Sequence, residues 1–360
     1  MNYAISRSKN MIVCILLTIL VSNIFTVKAQ SSQPKTSPTV AIPVEAPQTG
    51  INLTLSPVFI NLASDPGKEV SSSFKVTNNN NFREVFKLQV ARFDAGPGGN
   101  TMVLVDTTPA DEFVKWIHFS EEQFSLEANQ TKTIKVTINP ASNATLGYYY
   151  AVIVNRLKED SKEGTSTVTG APALPILLEI RTLDSKRELQ LVDFSTDKLI
   201  YENLPVTFRV KVKNTGNIHV VPSGDIFIDW GTKKDIGIVP ANGGRSNILP
   251  RSTRDFESSW NDGFIVRQVK ADEKGNIIKD EHGAEVYETK WNFSKADKFR
   301  IGQYTAHLLF VYDNGERDVP LEATVTFWVL PWKIIGVAAL ILLFFLVGLK
   351  NTVTSFFKKR

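Results

Sequence analysis

Polar and apolar residues alternate with a period of two along most of the chain. Phe74 and Val76 alternate with Ser73, Lys75 and Thr77, and Phe86, Leu88 and Val90 with Lys87 and Gln89. Ile134, Val136 and Ile138 alternate with Lys135 and Thr137. This spacing sets one face of a strand against a core and leaves the other in water. Leu53, Leu55, Val58, Ile60 and Leu62 mark an extended piece interrupted by Pro57. Residues 147–157, GYYYAVIVNRL, and residues 175–183 are strongly β-prone runs, and 116–119 and 124–126 are short ones. Asp65-Pro66-Gly67-Lys68 and Gly96-Pro97-Gly98-Gly99-Asn100 are turn signals. Roughly eight short strands in residues 51–183 predict an immunoglobulin-like β-sandwich.

A second set of strands fills residues 186–328. Val206, Phe208, Val210 and Val212 point one way, and Thr207, Arg209, Lys211 and Lys213 the other. Ile226, Ile228 and Trp230 follow, then Tyr304, Ala306, Leu308, Phe310 and Tyr312, and finally Leu321, Ala323, Val325 and Phe327. Asn214-Thr215-Gly216-Asn217 and Asp313-Asn314-Gly315-Glu316 close turns between them. Residues 261–290 carry two further turn signals and read as a hairpin or meander inserted between core strands. A repeat supports two related sandwiches. Leu126, Thr131 and Ile134 have the spacing of Ile248, Thr253 and Phe256, and Phe74-Lys-Val-Thr-Asn ends like Val210-Lys-Val-Lys-Asn.

The alternation stops at the C-terminal end. From Phe327 to Leu349 there are 23 residues with one charge, Lys333. As a helix they extend roughly 34 Å, enough for a hydrocarbon core of about 30 Å. Trp328 and Trp332 lie at one end, where an aromatic belt forms; Lys350, Lys358, Lys359 and Arg360 follow the other. The expected fold is therefore all-β: two immunoglobulin-like β-sandwich domains, 51–183 and 186–328, followed by a single C-terminal transmembrane helix at 329–349. The basic tail, 350–360, is expected in the cytoplasm and the sandwiches outside.

The N-terminus agrees with this orientation. Arg7 and Lys9 precede an apolar stretch from Met11 to Val21, and Val27-Lys28-Ala29 fits a signal-peptidase site, so 1–29 reads as a signal peptide. An uncleaved signal anchor would give the same sidedness. Residues 30–50, with prolines at 34, 38, 43 and 47, read as a disordered spacer. Cys14 is the single cysteine, so no disulfide staples the exported part, which points to a bacterial envelope protein. The formal charge of +4 comes from the two ends. Without the basic residues there, 33 basic residues face 37 acidic ones, leaving −4. That balance excludes a phosphate-binding surface for nucleic acid.

No constellation in the sequence carries catalysis. His118, His219, His282 and His307 lie in no zinc-ligand spacing, no strained serine elbow is present, and no cofactor motif appears. His219 is expected to fix a loop by hydrogen bonding. Asp272–Asn276 and Asp280–Gly283 gather oxygens but lack a calcium-loop spacing. Tyr148, Tyr149 and Tyr150 form the one aromatic triplet, read as core packing with an exposed partner, or as a sugar-stacking platform.

Signal peptide, cysteine-free sandwiches, one membrane helix and a short basic tail together resemble the layout of bacterial WxL-interacting-type surface proteins. LASDPGKEVSSSFKVTNN at 62–79 resembles the opening of their first domain, and GYYYAVIV at 147–154 its late glycine-aromatic strand. The segment VKNTGNIHVVPSGDIFI at 212–228 and FWVLPW at 327–332 look like a wider group of membrane-tethered immunoglobulin-like proteins. The resemblance implies a peptidoglycan partner for the first domain and surface ligands for the second, with no binding residue carried over. Two functions follow as expectations. One is a non-catalytic, membrane-anchored surface protein that binds or displays a cell-envelope component, either a wall polymer or a surface protein. The other is a tethered assembly factor resembling pilus chaperones, pairing a strand edge with a client. Such chaperones hold a client carboxylate with paired basic residues, and Arg181, Lys186 and Arg187 lie near the joint of the two domains.

Overall fold

The alternating segments become twenty strands and one α-helix among the described residues, 52–157 and 171–357, of this computed structural model. The signal segment, the proline-rich spacer, Cys14 and residues 358–360 lie outside the described residues. The first ten strands are β1 (Leu53–Ser56), β2 (Ile60–Ser64), β3 (Val70–Asn78), β4 (Glu84–Ala95), β5 (Met102–Val105), β6 (Ile117–Phe119), β7 (Gln123–Leu126), β8 (Thr131–Ile138), β9 (Leu146–Leu157) and β10 (Ala173–Ile180). They build a four-stranded sheet in the order β1-β3-β8-β6. Facing it is a six-stranded sheet, β2-β10-β9-β4-β5, with β7 also on β4. Pro57 has no N–H to give a ladder, and at Pro57 the first extended piece divides. Its first half joins β3 antiparallel and its second half joins β10 parallel. Phe74, Phe86, Leu126, Ile134, Tyr150 and Ile176 fill the core between the sheets.

The second ten are β11 (Leu189–Thr196), β12 (Ile200–Tyr201), β13 (Val206–Asn214), β14 (Ser223–Trp230), β15 (Lys233–Pro240), β16 (Thr253–Trp260), β17 (Ile265–Val269), β18 (Tyr287–Trp291), β19 (Gly302–Asp313) and β20 (Asp318–Val329). Sheets β11-β13-β16 and β12-β20-β19-β14-β15 enclose a second core. The insertion is a separate ribbon in which β17 pairs with β18. The chain is thus predominantly β, with immunoglobulin-like sandwich architecture and one C-terminal apolar helix, α1 (Trp332–Phe357).

The sequence repeat has a physical basis. Asn78 and Asn214, both fully buried, end β3 and β13. The Asn78 amide donates to the carbonyls of Phe82, Leu126 and Glu127, and its oxygen accepts from the Asn80 N–H. The Asn214 amide donates to Ile218 and Ile248, and its oxygen accepts from the Gly216 N–H. Each asparagine therefore ties its own strand end to the turn that enters β8 or β16. Leu126 and Ile248, matched by spacing in the sequence, are matched as acceptors in the structure.

The C-terminal apolar helix begins at Trp332, three residues after the expected 329. Phe327 belongs to β20 and is fully buried, stacked on Tyr304 at 5.6 Å and edge-on to Phe208 at 5.7 Å. Helix α1 starts after Leu330 and Pro331. Residues 332–351 have a mean hydropathy of 2.5 and no burial, long and apolar enough to cross a membrane. A core strand and a membrane helix are both apolar, so composition alone runs them together.

Two outcomes are expected in denaturant unfolding of residues 51–328. Removing either amide, by Asn78→Ala or Asn214→Ala, leaves several buried carbonyls unpaired and costs about 1–3 kcal/mol. Phe327→Ala opens a cavity among Phe208, Trp260 and Tyr304 and costs about 3–5 kcal/mol. Values near zero would show that these positions do not hold the second core and its repeat partner together.

Candidate binding site at the joint of the two sandwiches

Strands β9 and β10 are apolar on both faces. Tyr150, Val152, Leu174, Ile176 and Leu178 point into the first core. On the opposite face, Leu177 lies in register with Asn61 on one side and Tyr149 on the other, and Tyr149 meets Phe93 at 5.9 Å. The second sandwich covers this row. Leu249 packs with Phe93, Ala151 and Leu177. Asn247 exchanges two amide hydrogen bonds with Asn61, each 3.3 Å, and His219 sits edge-on to Tyr149 at 5.8 Å. Gly99, at φ +67°, brings the turn after β4 so close to β16 that a Cβ there would lie 2.4 Å from the Thr253 carbonyl oxygen.

The connection between the sandwiches is tied down as well. Asn217 accepts from the Lys186 N–H at 2.7 Å and donates to the Asp184 carbonyl at 2.8 Å. Arg187 pairs with Glu179, which is buried at the end of β10, and that hydrogen bond holds the guanidinium charged. Lys186 pairs with Glu188 at 2.7 Å, and Arg181 faces Asp65 at 3.8 Å with most of its side chain in water. The three basic residues of the joint are thus brought near one another but each faces an acid. They do not form a matched pair aimed into a shared pocket.

One edge at this joint is open. The Val154 N–H bonds the Pro172 carbonyl at 3.0 Å, so the alternation of an antiparallel ladder turns the peptide groups of Ala173 and Pro175 away from β9. Strand β2 begins only at Ile60, opposite Ile176. Among the described residues no strand pairs with Ala173 on that side, whereas the Pro175 carbonyl faces the Ile60 N–H at the start of the parallel ladder. Beside them lies a half-open crevice of about 210 Å³ lined by Val58, Phe59, Phe93, Met102, Pro175 and Leu177, among others. Val58 is 74% exposed at its rim. An unpaired backbone edge next to an apolar crevice can accept an extended peptide.

The other candidate residues sit elsewhere. Tyr150 is core and donates to the Phe113 carbonyl at 3.1 Å; Tyr148 packs on Trp116 at 4.8 Å; Tyr149 is at the joint. None of the three offers a free face for a sugar ring. His118 and His282 are exposed. Asp272 accepts from the backbone N–H groups of Lys274 and Asn276, and Asp280 from those of His282 and Ala284, so these oxygens serve their own turns. Among the described residues no group of three or more His, Cys, Asp or Glu side chains could hold a metal ion.

Sequence reasoning missed one cluster. His307 reaches Asp229 at 3.0 Å and Thr324 at 3.1 Å, and Lys234 reaches Asp229 at 2.7 Å. The hydrogen bond from Lys234 is the main cause holding the Asp229 carboxyl below its usual range. His307 and Asp229 are 78 residues apart and meet because β14 and β19 are neighbours, a pairing that no local spacing signals.

No family model and no curated protein matches this chain. Solved structures similar to it include the E. coli chaperone DraB, at 11% identity over 76% of this chain and 99% of that one, with a TM-score of 0.32. The class 5 fimbriae chaperone CfaA is 17% identical over 67% and 100%, with a TM-score of 0.32. The Salmonella enterica SafA pilin in complex with the SafB chaperone gives 11% over 76% and 97%, and 0.33. The resemblance to WxL-interacting-type proteins is thereby corrected: these similar solved structures are pilus-chaperone folds, none is of the WxL-interacting type, and no sequence family supports that type. The quoted motifs fail for a physical reason. LASDPGKEVSSSFKVTNN is β2, a turn and β3, and GYYYAVIV is β9; both are patterns that any two-sheet sandwich requires.

His219 makes the joint sensitive to acid. Burial lowers its pKa from 6.5 to about 4, against the neighbouring Glu179, which raises it, and with Arg187, which lowers it further. The folded protein therefore binds fewer protons than the unfolded chain between those values. The stabilising contribution is complete above pH 6.5 and is lost as pH falls towards about 4, by roughly 3 kcal/mol. Urea midpoints are expected to drop across this window in the native protein, and the slope to flatten in His219→Gln. An unchanged slope in the variant would assign the acid loss to other groups.

Proposed function

We propose that the chain is a non-catalytic, membrane-tethered binding and assembly protein that takes an extended segment of another envelope or surface protein by strand addition at β10. In this reading residues 51–183 and 186–328 are two immunoglobulin-like domains, and α1 crosses the membrane with residues 350–360 in the cytoplasm. The observation that carries it is the open edge at Ala173, just before the β2 ladder begins, beside the apolar crevice. Unpaired peptide groups match the backbone of a protein segment better than a wall polymer, and the crevice takes one of its alternate side chains. The joint supports a rigid presentation of that edge, because both its faces and its connection are fixed. The basic residues of the joint are occupied by acids, so the proposed mode relies on the edge and crevice and not on a carboxylate clamp.

A photo-crosslinking residue at position 173 of the full chain, in membranes, tests this. Adducts are expected on one protein partner, within a segment of alternating apolar residues. Val58→Asp combined with Ala173→Pro is expected to reduce partner retention about tenfold or more. Because Val58 is mostly exposed, Val58→Asp alone shifts stability by no more than about 0.5 kcal/mol, so its effect on retention is measured without the proline as well. Adducts from position 173 that persist unchanged when Val58→Asp is added, adducts that fall on no protein, or partner retention unchanged in the double variant would sink the proposal.

A further inference from the structure

Exposed aromatic and aliphatic side chains gather where β20 leaves for α1. Strand β12 runs parallel to β20, with Ile200 opposite Trp328, so the exposed Leu199 and Ile200 flank the exit on one side. On another side lies the end of the inserted ribbon. Phe299 and Arg300 line one crevice with Val329 and Pro331, and Tyr287 and Thr289 share a groove with Trp332 and Lys333. Between them the chain reads Lys290-Trp-Asn-Phe-Ser-Lys-Ala-Asp-Lys-Phe-Arg300. Trp291 and Phe293 both lean on Phe264, at 5.4 and 5.5 Å, yet Phe293 is 77% exposed.

This segment interleaves aromatics with cations. Lys290, Lys295, Lys298 and Arg300 stand against Glu288 and Asp297, and three of them converge on one carboxylate, Asp262, at 2.8, 2.7 and 3.3 Å. Four cations against Glu288, Asp297 and Asp262 leave the patch at +1. Side chains of this kind, apolar bodies beside cationic tips, suit the headgroup layer of a bilayer, and anionic lipids strengthen the contact. A soluble face would leave Phe293, Phe299, Trp291, Leu199 and Ile200 in water around a helix that is itself apolar and unburied. Continuity with that helix identifies what covers them.

We propose that the end of the inserted ribbon, residues 287–300, is a membrane-contacting foot. It seats Trp291, Phe293 and Phe299 among lipid headgroups beside the exit of α1, with its cations on anionic phosphates. The proposal rests on α1 spanning the bilayer, and the two can fail separately. The foot fixes the tilt of the sandwiches on the membrane, since contacts on one flank of the exit remove the freedom that a single helix leaves.

The test uses the full chain in nanodiscs of mixed anionic and zwitterionic lipid, with Cys14→Ser and one spin label at Phe293→Cys or at Trp332→Cys. Oxygen and nickel-chelate accessibilities are compared with a label at Ser142→Cys in the first sandwich. Both membrane labels are expected to lose nickel accessibility and gain oxygen accessibility, and only the label at 293 is expected to regain nickel accessibility when anionic lipid is omitted. A label at 332 in lipid with one at 293 in water overturns the foot and leaves the span intact. Both in water overturns the span and the foot with it. A label at 293 shielded from oxygen and nickel alike also overturns the proposal, since protein would then cover the patch.

Discussion

The burial of β9 and β10 on both faces is the constraint on which the rest depends. A strand with apolar side chains on one face only can stand at a surface; these two cannot, because Leu177, Ala151 and Tyr149 back the residues that fill the first core. The second sandwich supplies the missing cover through Leu249, Asn247 and His219. Its own position is thereby set by the first sandwich's sheet, and the connection through Lys186 and Asn217 has little length in which to move. The neutral His219 and the Glu179–Arg187 pair follow from the same burial. An imidazolium in that place would lose its water with no acid dedicated to it, because Glu179 is already held by Arg187.

The second core transmits this arrangement to the helix. Phe327 is stacked on Tyr304 three residues before Leu330, the first residue of the short connection, whose N–H bonds the Tyr201 carbonyl at 2.7 Å. Lys333, in the first turn of α1, pairs with Glu202 at 3.0 Å. The chain is therefore held on both sides of Pro331, the only break between strand and helix. A partner held at β10 would be joined to the anchor through packed side chains and paired strands, with no slack linker between Asn52 and the helix among the segments described.

How much of this was legible in the sequence depends on whether the signal was local. Alternation at Phe74–Val76 or Val206–Val212 marks strands because each has one wet face. The repeat of Asn78 and Asn214 was visible as similar endings, and its meaning emerged only with the acceptors at Leu126 and Ile248. Tyr149 was harder: an apolar run without polar alternation reads equally as core strand or as core with an exposed partner. Its length and the equally unbroken run of β10 were the signal that both faces are covered. Phe327 was legible as the last inward residue of an alternating strand, but the apolar run continuing through it left the helix start at 329 where the structure has Trp332, because hydropathy does not distinguish protein core from lipid. The open edge at Ala173, the crevice, and the His307–Asp229 contact depend on which strands become neighbours, and no spacing along the chain encodes that.

Pro175 gives the open edge its character. A long unpaired edge would recruit any strand, including that of a second copy, and proteins blunt such edges with proline and by keeping them short. Here the edge offers only the N–H and carbonyl of Ala173, then stops at Pro175, whose carbonyl faces the Ile60 N–H where β2 begins. So few backbone bonds hold a partner weakly and without discrimination. Discrimination has to come from the side chain that enters the crevice between Val58, Phe93 and Leu177. That crevice exists only because the second sandwich closes its far wall with Leu249, so selectivity at the first sandwich is a property of the joint.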